Sequence, residues 1–290
     1  MVVIEIDSLK KSYGKHVGVR DVTFSVNEGE MFGFVGPNGA GKSTTIKTLM
    51  GFIFSDSGHA SICGLDCARE SRRIKAFTGY VPSDVRLYPS MRTGELLRRN
   101  AAFYSGDFSA ETERLCTLFG VNTGKRFSEL STGNKKKVSV ICALMAEPKV
   151  VILDEPTNGL DPLMQKNLFE ELLRRTKNGC AVLLSSHNLS EVQEYCDRAA
   201  FINSGSIISV IDLKKDIVQT KIITLSGGKK EIPASFELLS ENGGKRVFRT
   251  EQNGGALTSA LAAIAPDDFT VENESIEERF WSLYGKESGK

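Results

Sequence analysis

No apolar run in this 290-residue chain approaches the ~18 consecutive residues that would cross a bilayer as a helix, so any membrane role must come through another polypeptide. Charge of one sign is lacking too. Lys and Arg number 37 against 36 Asp and Glu, which leaves no overall field to draw the chain onto a polyanion, and nucleic acid is not an expected partner. There is no CxxC pair and no cluster of the three histidines. Cys63, Cys67, Cys116, Cys142, Cys180 and Cys196 are irregularly spaced over predicted strands and helices, in a chain too long to need disulfide staples. They read as reduced thiols, with Cys63 and Cys67 as buried small hydrophobes rather than a zinc pair. The opening MVVIEIDSLKKSYG alternates like a strand and has no basic start before an apolar core, so no signal peptide is expected. At 40% hydrophobic content, a chain of this length can bury a sizeable core in one large domain or in a main domain with an appendage.

What is present begins with period-two segments at Val2 to Ile6 and Val22 to Val26, then a continuous apolar run from Met31 to Val35. Turn residues Asn27, Glu28 and Gly29 separate the last two, which predicts antiparallel strands feeding one buried strand. That strand ends in GPNGAGKSTTIKTLMG. Gly36, Gly41, Lys42 and Ser43 satisfy G-x-x-x-x-G-K-[ST], after a predicted strand and before a helix with Ile46, Leu49 and Met50 on one face. Glycines here let the backbone wrap a phosphate chain with its N–H groups turned inward. The helix adds its positive end, Lys42 reaches the outer phosphates, and the Ser43 hydroxyl can ligate Mg²⁺. Gly36, Pro37, Asn38, Gly39, Ala40, Gly41, Lys42, Ser43 and Thr44 are therefore the expected nucleotide-binding residues, and the chain is expected to bind a nucleoside triphosphate.

A second buried run, Val150 to Leu153, ends in Asp154, Glu155 and Pro156, placing two carboxylates at the C-terminal tip of a parallel strand. Asp154 is placed to hold the Mg²⁺ shell through water, and Glu155 to polarise a water beside the γ-phosphate. A third run, Ala181 to Leu184, ends in Ser185, Ser186 and His187. Three such ends on one sheet edge bring together groups for phosphate, metal and proton.

In this order the pieces resemble the nucleotide-binding subunit of ATP-binding cassette (ABC) transporters. The resemblance covers about residues 1–212 and rests on GPNGAGKST, LSTGN followed by KKKV, VVILDEPTNGLDP and SSHNLSEVQ. It implies an α/β fold: a P-loop NTPase cassette with an antiparallel β subdomain and a helical signature subdomain at about 85–146. It implies Tyr13 stacked on adenine, Glu155 as catalytic base, Lys42 beside it, and His187 as the switch histidine at the γ-phosphate. Asp161, within GLDP, would couple the two subunits of a dimer. Ser131, Thr132, Gly133 and Asn134 would meet ATP held by another subunit, so the implied partner is a second copy or a second ATP-binding subunit, with ATP and Mg²⁺ sandwiched between. Integral-membrane permease subunits are the other implied partners. They would hold the chain at the cytoplasmic face of the cell membrane as the hydrolytic subunit of an exporter, with LYPSMRTGELL resembling the segment that touches the permease.

The sequence departs from the family pattern in two places. Where the family has a glutamine bridging Mg²⁺ after a strand like GYVP, this chain has Ser83 with Asp84 next. Ser83 acts through an extra water, or Asp84 substitutes, or metal contact is weaker there. The common LSGGQ is here LSTGN. Ser131 can still cap a helix and Gly133 still lets backbone N–H groups approach a phosphate. Lys135 to Lys137 follow at the positive end of that helix; a solvated basic face accounts for at least two of them, and one is left that could attract ATP.

From residue 213 to 290 the composition changes, with SGGKKE, ENGGKR and QNGG between short runs at Ile222 to Leu225, Phe236 to Leu239 and Val247 to Thr250. A helix with Leu257, Leu261 and Ile264 on one stripe and a strand at Phe269 to Glu272 complete a small α+β accessory domain. The end, SIEERFWSLYG, predicts a capping box of Ser275 with Glu278 and a stripe of Ile276, Phe280 and Leu283, either simply packed or making a dimer or regulatory contact. The alternative function is a soluble ABC-type ATPase acting on nucleic acid or ribosomes. Such relatives carry a second cassette or a long coiled-coil insertion, and neither is present here.

Overall fold

Alternation at the start of the chain produces a long antiparallel hairpin of β1 (Val2–Tyr13) and β2 (His16–Asn27), whose inward residues Ile4, Ile6, Leu9, Val22, Phe24 and Val26 are buried. The computed structural model describes residues 1–217, 220–227 and 232–275. The turn after β2 leads into β3 (Met31–Val35), buried along its whole length. α1 (Lys42–Leu49) follows the P-loop, and β4 (Ser57–Ile62) returns to pair antiparallel with β1, with β5 (Leu65–Asp66) on its outer edge. A short α2 (Ser71–Lys75) precedes β6 (Thr78–Val81).

Three helices come next. They are α3 (Thr93–Ala101), α4 (Ser109–Phe119) and α5 (Thr132–Leu144), burying Leu96, Leu97, Leu115, Phe119, Val138, Ile141 and Leu144. The chain then alternates strand and helix through β7 (Val150–Asp154), α6 (Pro162–Lys177), β8 (Ala181–Ser186), α7 (Leu189–Tyr195), β9 (Arg198–Asn203) and β10 (Ser206–Asp212).

Among the described residues these strands form one sheet in the order β5-β4-β1-β2-β10-β9-β3-β8-β7-β6. β2 and β3 are three residues apart in sequence and yet not neighbours, because β10 and β9 lie between them. β3 needs apolar cover on both faces and parallel partners on both edges, which β9 and β8 supply. Register then aligns the carboxyl ends: Val35 opposite Ser186, Asp154 opposite Ser185, and Val81 opposite Leu153. Phe24 stacks on Phe32 with ring centroids 5.1 Å apart inside the core beneath them.

The chain divides into two compact units, 1–210 and 211–290. In the second, β11 (Lys221–Ser226), β12 (Glu237–Asn242), β13 (Lys245–Thr250) and β14 (Asp268–Asn273) form an antiparallel sheet ordered β12-β13-β11-β14. α8 (Gly254–Ile264) lays Leu257, Leu261 and Ile264 on Ile223, Leu225, Phe236 and Phe248. The capping box and stripe expected from Ser275 to Leu283 run into residues outside those described.

Cys63 departs from the expectation of burial. It lies exposed in a turn with φ of +51°, whereas Cys67 is buried and its thiol is pushed up to about 12 by loss of solvent.

α4 and α6 are joined by a charged cluster. Glu171, with its side chain only 2% exposed, takes ion pairs from Arg175 at 2.7 Å and from Arg114 and Arg174 at 2.8 Å, and Glu111 takes Arg114 and Arg175 at 2.7 Å. Burial alone would raise both carboxyls, but the arginines outweigh it and hold both below the usual carboxylate range. The stabilisation they supply is therefore complete above the unfolded value of about 4.3 and is lost as pH falls through the lower folded values. Glu171→Ala, which removes the most buried carboxylate of the cluster and leaves Arg175 with Glu111 alone, is expected to cost about 3 kcal/mol in urea unfolding at pH 7. The gap between the variant and the native chain should narrow as pH drops below about 4.

Candidate active site

The loop between β3 and α1 is shaped by crowding from outside it. Gly41 sits at φ +112°, and a Cβ there would lie 2.6 Å from the Gly18 carbonyl oxygen, so only glycine fits. Pro37, Asn38 and Gly39 are exposed, Ala40 is buried, and Ser43 and Thr44 are half-buried at the start of α1. The Lys42 side chain turns back into the loop. Its Nζ donates to the carbonyl oxygens of Gly36 at 2.6 Å and Pro37 at 3.2 Å, and lies 3.3 Å from Glu155 Oε1. Glu155 Oε2 is in turn 2.7 Å from His187 Nδ1. P-loop lysine, strand-end carboxylate and strand-end imidazole thus form one continuous chain of contacts, with the His187 ring 54% exposed at its outer end.

Asp154 is fully buried. Its Oδ1 accepts from Ser185 Oγ at 2.7 Å, and that same hydroxyl oxygen accepts from the Glu155 backbone N–H at 3.0 Å. Ser185 therefore orients both acidic residues, a role that a serine closing an apolar run does not announce in sequence. Asp154 Oδ2 is buried without a hydrogen-bond partner. A buried carboxylate oxygen with nothing to accept from is costly unless a cation or ordered water completes it, so the residues present fit a divalent ion. Glu155 itself is held at φ +49°, a left-handed conformation that L side chains avoid.

Tyr13, half-exposed at the end of β1, stands beside the loop. A Cβ on Gly18 would meet the Tyr13 ring at 3.0 Å and Thr44 Cγ2 at 3.4 Å, so the ring and the first turn of α1 flank the same point. Lys11 Nζ lies 5.7 Å from the ring centroid.

The signature residues are arranged around the start of α5. Ser131 is its N-cap, with Oγ accepting from Asn134 N at 3.3 Å, and Ser131 and Thr132 face outward. A Cβ on Gly133 would lie 2.4 Å from the Gly159 carbonyl oxygen, so the GLDP loop packs directly on the signature backbone. Asp161 caps α6 by accepting from Met164 N at 3.0 Å.

A solvated face is expected of at least two of the three lysines, but Lys136 is buried and Lys135 and Lys137 are half-buried. Lys135 Nζ lies 5.7 Å from the Phe127 ring centroid, and Lys137 Nζ is 3.9 Å from Asp161 Oδ2. Lys136 is buried and donates to the carbonyl oxygens of Pro82 at 2.9 Å and Ser83 at 3.0 Å. Loss of solvent lowers its ammonium, while Asp154, Glu155 and Asp84 pull the other way. A run of like charge suggests a wet surface, and here each stem finds a separate neighbour. Ser83 is exposed, and the Asp84 carboxylate is taken by Arg86 Nε at 2.7 Å.

A strand, a glycine-rich loop and a helix, with acidic residues at the end of a parallel strand one place further along the same sheet, define a P-loop ATPase. Residues 19–158 match the family described as ABC transporter. The chain is 32% identical over 213 residues to the linearmycin resistance ATP-binding protein LnrL of Bacillus subtilis (strain 168), covering 72% of this chain and 68% of that protein. It is 35% identical over 212 residues to the Nod factor export ATP-binding protein I of Paraburkholderia xenovorans (strain LB400), covering 71% and 69%. A solved ATP-binding subunit of an ABC transporter superposes with a TM-score of 0.69 at 34% identity, over 73% of this chain and 90% of that one. The chain belongs to the ABC transporter family, among its ATP-binding, ATP-hydrolysing cassettes. No helix of the described residues is long and apolar enough to cross a membrane.

Ser185→Ala removes the hydroxyl that serves Asp154 and the Glu155 amide together. It is expected to cost about 1–3 kcal/mol in denaturant unfolding and to lower kcat for ATP hydrolysis more than it raises KM.

Proposed function

We propose that this chain is one of two ATP-binding subunits of an exporter, which close around two Mg²⁺-ATP and drive a separate permease at the cytoplasmic face of the membrane. The observation that carries it is the contact chain Lys42–Glu155–His187 at one sheet edge, beside the unsatisfied oxygen of buried Asp154. Export is supported by the relatives that serve linearmycin resistance and Nod factor export.

In this reading the loop from Gly36 to Thr44 cradles the phosphates with its backbone N–H groups, and Tyr13 stacks on the adenine. Ser43 and, through water, Asp154 would hold Mg²⁺, whose charge would neutralise phosphate oxygens. ATP's outer phosphates compete with Glu155 for Lys42. Glu155 Oε1, released from that pair, orients the attacking water, while His187 contacts the γ-phosphate. Ser131, Thr132, Gly133 and Asn134 contact the ATP of the other subunit, and Asp161 links the two sites. A third metal contact would come from Ser83 through an extra water or from Asp84 in its place, or else would be weaker.

Closure is transmitted through residues 83–97. Beside them is a groove of about 360 Å³ lined by Phe52, Tyr80, Leu87, Tyr88 and Phe103. Phe52, Tyr88 and Phe103 are large apolar side chains left exposed, as suits a surface that a permease helix covers.

Glu155→Gln is expected to keep ATP binding, accumulate an ATP-bound dimer in size-exclusion chromatography, and lower turnover by about 100-fold or more. Unchanged turnover would remove Glu155 from the role of base. Ser131→Arg places a bulky side chain at the outward-facing N-cap. It should abolish the rise of specific ATPase activity with protein concentration, and activity equal to the native chain would return LSTGN to a surface turn.

A further inference from the structure

Lys136 occupies a position that elementary energetics disfavours. It is 3% exposed near the positive end of a helix that has no acidic residue in its first turn, and burying an ammonium costs several kcal/mol unless it is paired. Its hydrogen bonds go to the main-chain carbonyls of Pro82 and Ser83, on the loop that follows β6. That loop starts beside the active-site edge, since Val81 is in register with Leu153, the residue before Asp154.

A second tie joins the same two elements further along. A Cβ on Gly79 would lie 2.2 Å from the Ala143 carbonyl oxygen, so α5 rests directly on β6. Backbone contact at one end and Lys136 at the other make strand, loop and signature helix a single body. Neither side chain on the loop substitutes for that tie: Ser83 is short and exposed, and Asp84 is engaged by Arg86.

We propose that Lys136 is a positioning residue that fastens the loop at 82–84 to the signature helix of the same subunit, so that ATP in a subunit's own site sets the placement of the signature offered to its partner's ATP. This rests on the two-subunit reading given above. The interaction suits the task because the two accepting carbonyls move with the loop backbone, and burial of Lys136 limits the rotamers by which its side chain could absorb that movement. Lys136 would therefore pass a shift of the loop to α5.

The test compares the native chain with Lys136→Met, Lys136→Arg, Lys135→Ala and Ser131→Arg. Steady-state ATPase is measured over ATP and protein concentration, and hydrogen exchange is measured across residues 82–88. Lys136→Met is expected to lower kcat about 10- to 100-fold with KM for ATP changed less than about threefold. The Hill coefficient should fall to about 1, and amides at 83–86 should exchange faster. Lys136→Arg, which keeps the charge and the donors, should recover most of the loss, and Lys135→Ala should match the native chain.

The proposal is overturned if folded Lys136→Met keeps native kcat, cooperativity and exchange. It is overturned equally if activity is lost only in proportion to thermal stability and Lys136→Arg restores none of it. Should Lys136→Met not fold, Lys136→Gln, which keeps one donor, is read by the same criteria. Inactive Ser131→Arg beside native-like Lys136→Met leaves the two-subunit reading standing and removes the strap, whereas native-like Ser131→Arg removes the reading itself.

Discussion

The register that sets Val35 opposite Ser186, Ser185 opposite Asp154 and Leu153 opposite Val81 is the constraint on which the rest of the molecule depends. Side-chain period in a strand is two, so a slip of one residue in any of these pairings would turn its strand-end group to the opposite face. With the register held, Gly36, Glu155 and His187 emerge at the same edge, and Lys42 needs only to fold back to meet Glu155. Parallel pairing on both edges of β3, β8 and β7 holds it, within strands that are buried along their whole lengths.

Local rules are broken where that edge is built. Glu155 adopts a positive φ, Asp154 keeps a buried oxygen without a partner, and Lys136 carries its charge into the interior. Each is a cost that a structure selected for stability alone would shed. By contrast, the buried charges between α4 and α6 are paired on every side, as expected of a cluster whose function is to hold helices together. The difference separates polar groups that complete the fold from polar groups that leave something for a ligand to complete.

Periodicity and motif spacing made much of this legible. The buried runs at 31–35, 150–154 and 181–186 are strands, the P-loop lies between strand and helix, and the tail carries strands and a helix near the expected positions. Those signals are local: an apolar run, a glycine, a hydroxyl before a helix. What was not legible depends on partners far away in the chain. Nothing in KKKV distinguishes the lysine that enters the interior from the two on either side, because the difference lies in carbonyls contributed by residues 82 and 83. Nothing in LLSSH marks Ser185 as the residue that steadies Asp154, 31 positions earlier. Cys63 looked like its neighbour Cys67 until the turn between β4 and β5 placed it outside.

By itself, the sequence determined the chemical inventory and the class: a phosphate-binding loop, two strand-end carboxylates, a histidine and a helix capped by Ser131 admit few functions in that order. Tertiary structure alone decided which of these groups touch. The insertion of β9 and β10 between β2 and β3, the contact of α5 with β6, and the joint service of Ser185 to two acidic residues all join segments far apart in the chain. The physical reason is that hydrophobic patterning specifies which face of an element is buried and is silent about what buries it. The identity of the covering element is settled only when every apolar face, main-chain donor and buried charge in the chain has to be satisfied at once.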